Sequence, residues 1–198
     1  MSSNLRFSAP MNRPLKTINH HVTSDMIKRR NTTRMKKGGK ITYIKGDATD
    51  PGRCSDPDIE REIMIIFHIC NDINRWGKGF VTFVSDRWPL SKEIYHAGSK
   101  KLGTVSIGEV DKNLYVANMI AQHDIRWIDG VPPIRYDALR ECLVELSRWA
   151  GTLKKDGTVI SFHGPYMGAG YAGGDWNIIE GIIEENLRDF PVYIYKLE

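Results

Sequence analysis

The stretch from Ile63 to Ile69 constrains the fold more than any other part of this 198-residue chain. It reads I-M-I-I-F-H-I with no polar alternation. A strand built from it must be buried on both faces, as in a sheet covered by helices on each side. The chain then turns polar at Asn71, Asp72 and Asn74 and passes through Trp76-Gly77-Lys78-Gly79. From Phe80 it resumes an apolar pattern that reads as a helix. A strand, a glycine-containing loop and a helix start, in that order, build an anion site. Glycine lets backbone N–H groups approach an oxyanion, and the helix N-terminus adds positive potential. The spacing is neither G-x-G-x-x-G nor a Walker A loop, and a lone G-x-G also marks an ordinary tight strand-to-helix turn.

The remaining elements alternate around that strand. Lys40–Ile44 is β-branched and alternating and predicts a first strand, followed by the polar turn Gly46-Asp47-Ala48-Thr49-Asp50-Pro51 and a loop over Gly52–Glu62. Phe80–Asp86 and Leu90–Ala97 read as helical pieces split by Pro89. Val105–Val110 and Leu114–Ile120 are two strands joined by Asp111-Lys112-Asn113, which is hairpin chemistry. Leu139, Leu143, Leu146 and Trp149 form a helical stripe over Tyr136–Ala150. Thr158–Phe162 is a strand, and His163–Gly174 a glycine-rich loop. Trp176–Leu187 is a helix, and Val192–Tyr195 a last strand. Strands alternating with helices of about three turns define an α/β layered sheet, mostly parallel with an antiparallel hairpin. Ligands in such sheets sit at the C-terminal ends of the strands. Three loops follow strands there: Gly46–Asp50, Asn71–Gly79 and His163–Gly174. Two of them carry Gly77, Gly79, Gly164, Gly168 and Gly170, and paired glycine loops suit a diphosphate. The residues alone lead to a phosphate-containing ligand.

Charge and cysteine usage narrow the setting. Residues 1–38 hold nine Lys or Arg against one acid, Asp25, which leaves 19 basic and 23 acidic residues in the rest. That segment has few large apolar residues and reads as a basic, mostly disordered extension, with Thr23–Arg30 suited to a short helix. A segment so charged suits contact with a polyanion. Cys54, Cys70 and Cys142 are odd in number and widely spaced. They point to a reducing compartment, and against a disulfide framework or zinc site. With no h-region and no membrane-length apolar run, the expectation is a soluble intracellular protein, cytoplasmic or nuclear, not secreted and not a membrane protein.

Several of these motifs together resemble a known family. Lys45-Gly46-Asp47-Ala48-Thr49 after the first strand is similar to the opening of macrodomains. His68-Ile69-Cys70-Asn71 followed by Trp76-Gly77-Lys78-Gly79 is similar to their first phosphate loop. Glu93-Ile94-Tyr95 and Met119-Ile120-Ala121-Gln122-His123 add to the likeness. It covers roughly residues 40–198 and is strongest toward the chromatin-remodeller, ADP-ribose 1''-phosphate phosphatase and terminal ADP-ribose protein glycohydrolase branches.

The resemblance implies a three-layer α/β/α sandwich with a mixed, mostly parallel central sheet, spanning 39–198. It implies a monomer that binds ADP-ribose, free or at the terminus of a modified protein, with no cofactor and no metal. By position, Asp47 accepts from the adenine amino group beside the Ala48 backbone, and Tyr195 stacks on adenine. Backbone N–H groups of Trp76, Gly77, Lys78, Gly79 and Phe80, and of Met167, Gly168, Ala169, Gly170 and Tyr171 in the loop opened by Gly164, wrap the diphosphate. Asn71 lies near the distal ribose.

Asp47 and Asn71 are equally ordinary turn residues, and a strand Tyr or an apolar-strand His is ordinarily core. His68 matches a histidine of the phosphatase branch, so His68 and Asn71, with Asp175, are the catalytic candidates of the alternative reading, a hydrolase of ADP-ribose derivatives. His123 and His163 are further histidines near these motifs. The glycohydrolase branch uses a lysine and an acid where this chain has Gln122 and Ala172. Neither can serve as nucleophile or proton carrier, so a binding module without glycohydrolase turnover is expected.

Overall fold

The computed structural model describes residues 40–52 and 61–197. The basic extension 1–38, its short helix and most of the loop Gly52–Glu62 lie outside the described residues. The elements run β1 (Thr42–Lys45), β2 (Arg61–Asn71), α1 (Phe80–Arg87), α2 (Pro89–Ala97), β3 (Val105–Asp111), β4 (Leu114–Gln122), α3 (Tyr136–Leu153), β5 (Thr158–Pro165), α4 (Trp176–Asn186) and β6 (Val192–Lys196). Most ends fall within one to three residues of the sequence reading.

The six strands form one sheet in the order β1-β6-β5-β2-β4-β3. All neighbours are parallel except the β3–β4 hairpin at one edge. β2 lies inside, and its alternation explains its unbroken apolar run. Ile63, Ile65 and Phe67 pack into the large core shared with Leu139, Leu143 and Leu146 of α3 and Ile179, Ile182 and Ile183 of α4. Met64 and Ile66 face the other way, against Val84 of α1, and Cys70 meets Tyr95 of α2. Successive side chains point to opposite faces, so a strand with a helical layer on each side has no position to give to water. The result is a three-layer α/β/α sandwich with a mixed, mostly parallel sheet. Among the described residues no helix is long and apolar enough to cross a membrane.

Pro89 acts as expected. It occupies the first position of α2, where its missing N–H costs nothing, and Trp88 ends α1 by donating to the Val84 carbonyl at 2.7 Å. Because β1, β6, β5, β2 and β4 are parallel, the loops after β1, β2, β4 and β5 all leave from one edge of the sheet.

Candidate functional site

At that edge lies a cleft of about 290 Å³. Its first wall is the turn after β1, with Gly46, Asp47 and Ala48. Its second is the start of α1, with Gly79, Phe80 and Phe83. Pro165 and Tyr166 at the end of β5, and Tyr195 and Leu197 at the end of β6, complete it. Asp47 Oδ1 accepts the Thr49 N–H at 2.8 Å, and the Asp50 N–H reaches the Asp47 carbonyl at 3.0 Å. Asp47 is therefore both a turn former and a cleft-lining carboxylate, because one oxygen suffices for the turn. Ala48 is buried beneath it.

Gly79 caps α1 with φ 87° and ψ −147°, a conformation that side chains avoid. No side chain caps that end and no acid stands in its first turn. The orphan N–H groups and the positive end of the helix dipole therefore open onto the cleft. An anion there gains about 0.3–1 kcal/mol from the dipole, in addition to its hydrogen bonds.

The far wall is braced by aromatic stacking. Tyr166 stacks on Trp176 with centroids 4.1 Å apart. The Lys196 ammonium lies 4.6 Å from the Tyr166 ring and 4.7 Å from that of Tyr43. Tyr43 accepts from Trp176 Nε1 at 2.7 Å and donates to Glu180 at 2.5 Å. Burial, reinforced by that carboxylate, pushes the Tyr43 phenol up to about 12. Tyr195 is held from behind, its hydroxyl 2.9 Å from His163 Nδ1, while His163 Nε2 lies 2.9 Å from Ser161 Oγ. Burial raises the Tyr195 phenol and lowers His163 to about 3, so both are neutral at ordinary pH.

The structure brings Asp47, Ala48, Gly79, Phe80 and Tyr195 of the sequence-identified set to this one cleft. Gly77 and Lys78 lie exposed in the loop leading to Gly79. Trp76 is half-buried, its ring against His68 and Tyr95. Asn71 spends its amide on the loop. Its Oδ1 accepts from the Ile73 and Arg75 N–H groups at 3.2 and 3.0 Å, and its Nδ2 donates to the Arg75 carbonyl at 2.6 Å.

His68 is not among the residues that line the cleft. It is 1% exposed, beneath Trp76 and Phe80. Its Nε2 lies 2.8 Å from Asn118 Oδ1. Because Asn118 uses its nitrogen to donate to the Ser91 carbonyl at 3.2 Å, its oxygen faces the ring and His68 Nε2 is the donor. Burial lowers His68 to about 4.

The loop after β5 differs most from the sequence reading. His163 and Gly164 belong to β5 itself. A Cβ on Gly164 would stand 2.6 Å from Met167 Cε and 2.8 Å from Phe67 Cε1, so this glycine serves core packing. Met167 is 5% exposed and part of the same core. Gly168, Ala169, Gly170 and Tyr171 lie beyond the cleft lining, with Tyr171 largely exposed. Ala172 is buried, its carbonyl accepting the Ile134 N–H at 3.1 Å. Asp175 caps α4, its Oδ1 accepting from the Asn177 N–H at 2.8 Å.

Sequence reasoning missed Phe83, Tyr166 and Leu197 as wall residues. Phe83 had a signal: it stands three residues after Phe80 on a short helix and is 47% exposed, a large apolar group left facing out.

No family model matches the sequence. Among solved structures, a protein of unknown function from Bacteroides thetaiotaomicron is 43% identical. It matches 79% of this chain and 97% of that one, with a TM-score of 0.69. A macrodomain protein from Streptomyces coelicolor is 35% identical over 79% of this chain and 99% of that one, with a TM-score of 0.64. Among curated relatives, the ADP-ribose 1''-phosphate phosphatase of Candida albicans is 27% identical over 161 residues, 78% of this chain and 99% of the relative. The mouse chromodomain-helicase-DNA-binding protein 1-like is 29% identical over 170 residues, 78% of this chain, but the match spans only 17% of its length.

An α/β/α sandwich with an anion-suited helix start and an acid-bearing turn at one sheet edge defines a nucleotide-binding class of site. The near-complete match to the Streptomyces protein settles which: the chain belongs to the macrodomain family.

Proposed function

We propose that this chain is an ADP-ribose recognition module that takes free ADP-ribose or the terminal ADP-ribose of a modified protein. The observation that carries the reading is the pairing of two unlike ends in one cleft of about 290 Å³. At one end Asp47 offers its remaining carboxylate oxygen beside the buried face of Tyr195, which suits an amino-bearing base. At the other, the uncapped start of α1 behind Gly79 suits phosphate. The Candida relative acts, by its name, on an ADP-ribose derivative, which supports the same ligand here. The phosphatase alternative through His68 has no support in the geometry, since that ring is sealed beneath Trp76 and Phe80.

Calorimetric titration tests the reading. ADP-ribose is expected to bind at micromolar or better, about −8 kcal/mol or below, and AMP more weakly because it lacks the second phosphate and the distal sugar. Equal affinity for the two would overturn it.

A further inference from the structure

One cation at the rim of the cleft has no anion. Lys196 closes β6, one residue after Tyr195, and its carbonyl accepts the Gly46 N–H at 3.0 Å. Its backbone therefore stands beside the turn that carries Asp47. Strand alternation turns its side chain to the face opposite Tyr195, where it meets the aromatic cluster behind Tyr166. The ammonium lies 4.6 Å from the Tyr166 ring and 4.7 Å from the Tyr43 ring, within reach of a cation–π contact with each. Both rings are fixed. Tyr166 stacks on Trp176, and the Tyr43 hydroxyl is held between Trp176 Nε1 and Glu180. A lysine side chain in water ranges over many rotamers, but two rings hold this one by its head. Lys196 is exposed, and among the described residues no carboxylate pairs with it and no acceptor takes its N–H groups. The Tyr166 hydroxyl likewise makes no hydrogen bond among the described residues. Tyr166 itself lines the cleft and is 39% exposed.

We propose that Lys196, with the Tyr166 hydroxyl, is an anion anchor that selects ADP-ribose-type ligands carrying a further phosphate on the sugar that bears the base. The proposal rests on the binding reading above. In that reading the base lies at Asp47 and Tyr195, and the diphosphate lies at the start of α1. The sugar between them is joined to the base through C1′ and to the diphosphate through O5′. Its 2′ and 3′ hydroxyls are the positions left for a substituent. Base and diphosphate occupy two walls of the cleft, and the remaining wall is Pro165 and Tyr166. A group on either hydroxyl extends toward that wall, behind which the Lys196 ammonium stands.

The chemistry of the anchor favours phosphate. An ammonium is a compact point charge with three donors, which suits a phosphate group. Aromatic faces attract the cation without neutralising it, so the site keeps its whole positive charge. A phosphate monoester carries about −1.5 to −2 at pH 7 and has three acceptor oxygens, enough for the ammonium and the Tyr166 hydroxyl together. An unsubstituted sugar hydroxyl carries no charge to attract, so the affinity for ADP-ribose itself does not depend on Lys196. Because the ammonium is open to solvent, the gain is modest and screened by salt.

Calorimetric titration of the full chain with AMP, adenosine 2′,5′-bisphosphate, adenosine 3′,5′-bisphosphate and ADP-ribose tests the anchor. One of the two bisphosphates is expected to bind about three- to tenfold more tightly than AMP at low salt, and which of them does so identifies the hydroxyl. That gain is expected to shrink as ionic strength rises. Lys196→Gln is expected to abolish the gain and to leave the affinity for ADP-ribose within twofold of the wild type. Lys196→Arg, which keeps the charge and can lie against both rings, is expected to retain the gain, as a merely disturbed wall would not. If neither bisphosphate exceeds AMP, or if the gain survives in Lys196→Gln, the anchor is overturned and the binding reading stands. A wild type that does not bind ADP-ribose overturns the binding reading and the anchor with it.

Discussion

Two histidines buried without charge tie the stability of this domain to pH. His68 and His163 each lie within the sandwich, held by Asn118 and by Ser161 and Tyr195 respectively, and burial lowers them to about 4 and about 3. Their unfolded value is 6.5. As pH falls below that, the unfolded chain takes up protons that the folded one refuses. Stability is therefore complete above pH 6.5 and is lost as pH drops toward the folded values. Each group costs about 1.4 kcal/mol per pH unit in that window. Down to pH 5 the two together remove about 4 kcal/mol, out of the 5–15 kcal/mol typical of a domain. Asp and Glu ordinarily titrate below pH 5, so the window isolates the histidines. Urea unfolding followed by tryptophan fluorescence at pH 7.5, 6.5, 5.5 and 5.0 reads the effect. At a slope of about 2 kcal/mol/M the midpoint should fall by about 2 M. His68→Gln, which keeps an amide against Asn118, should show about half the pH-dependent loss. Stability that changes by less than about 1 kcal/mol between pH 7.5 and pH 5 would refute the reasoning.

Other outcomes follow from the site and the core. Asp47→Ala should weaken ADP-ribose binding by about 1.5–3 kcal/mol through loss of a charge-assisted hydrogen bond, as calorimetry would show, with a smaller effect on folding from loss of the Thr49 contact. Gly164→Ala should destabilise by about 1–3 kcal/mol, read as a lower urea midpoint, because its methyl would meet Phe67 and Met167 at under 3 Å. A chain lacking residues 1–38 should fold and keep its ADP-ribose affinity within twofold, since that segment has too few apolar residues to complete a core. Aggregation of the shortened chain would show that the segment packs on the body.

The sheet was legible because its signals are local. The run Ile63–Ile69 could only be a strand covered on both faces, Pro89 could only open a helix, and Asp111-Lys112-Asn113 could only turn a hairpin. The first two cleft walls were legible for the same reason, since Asp47 and Gly79 sit at fixed offsets from strand and helix ends. What escaped depends on which side of a strand faces what. His68 lies in phase with Met64 and Ile66, so period two sends it under α1 and not into the cleft. Gly164 looked like a phosphate-loop glycine because its role, making room for Phe67, is set by a residue 97 positions away. The Asp72–His123 contact spans 51 positions and arises only from the pairing of β2 with β4, which no spacing rule within either segment reveals.

The order of the strands has a consequence for how the protein is made. β6 lies between β1 and β5 and pairs with both, so Thr42 finds its partner at Tyr193. The first of the described strands to leave the ribosome therefore waits for nearly all the others before it can join the sheet. Meanwhile β2 and its hairpin neighbours can collapse on shorter loops. The cleft inherits that delay, because Asp47 follows β1 and Tyr195 lies in β6, the two strands that meet last. A nascent chain could hold its central layers and still have no place for a nucleotide base. Ligand present during synthesis can stabilise only the finished sheet, acting as a late latch on β1 and not as a template for the core.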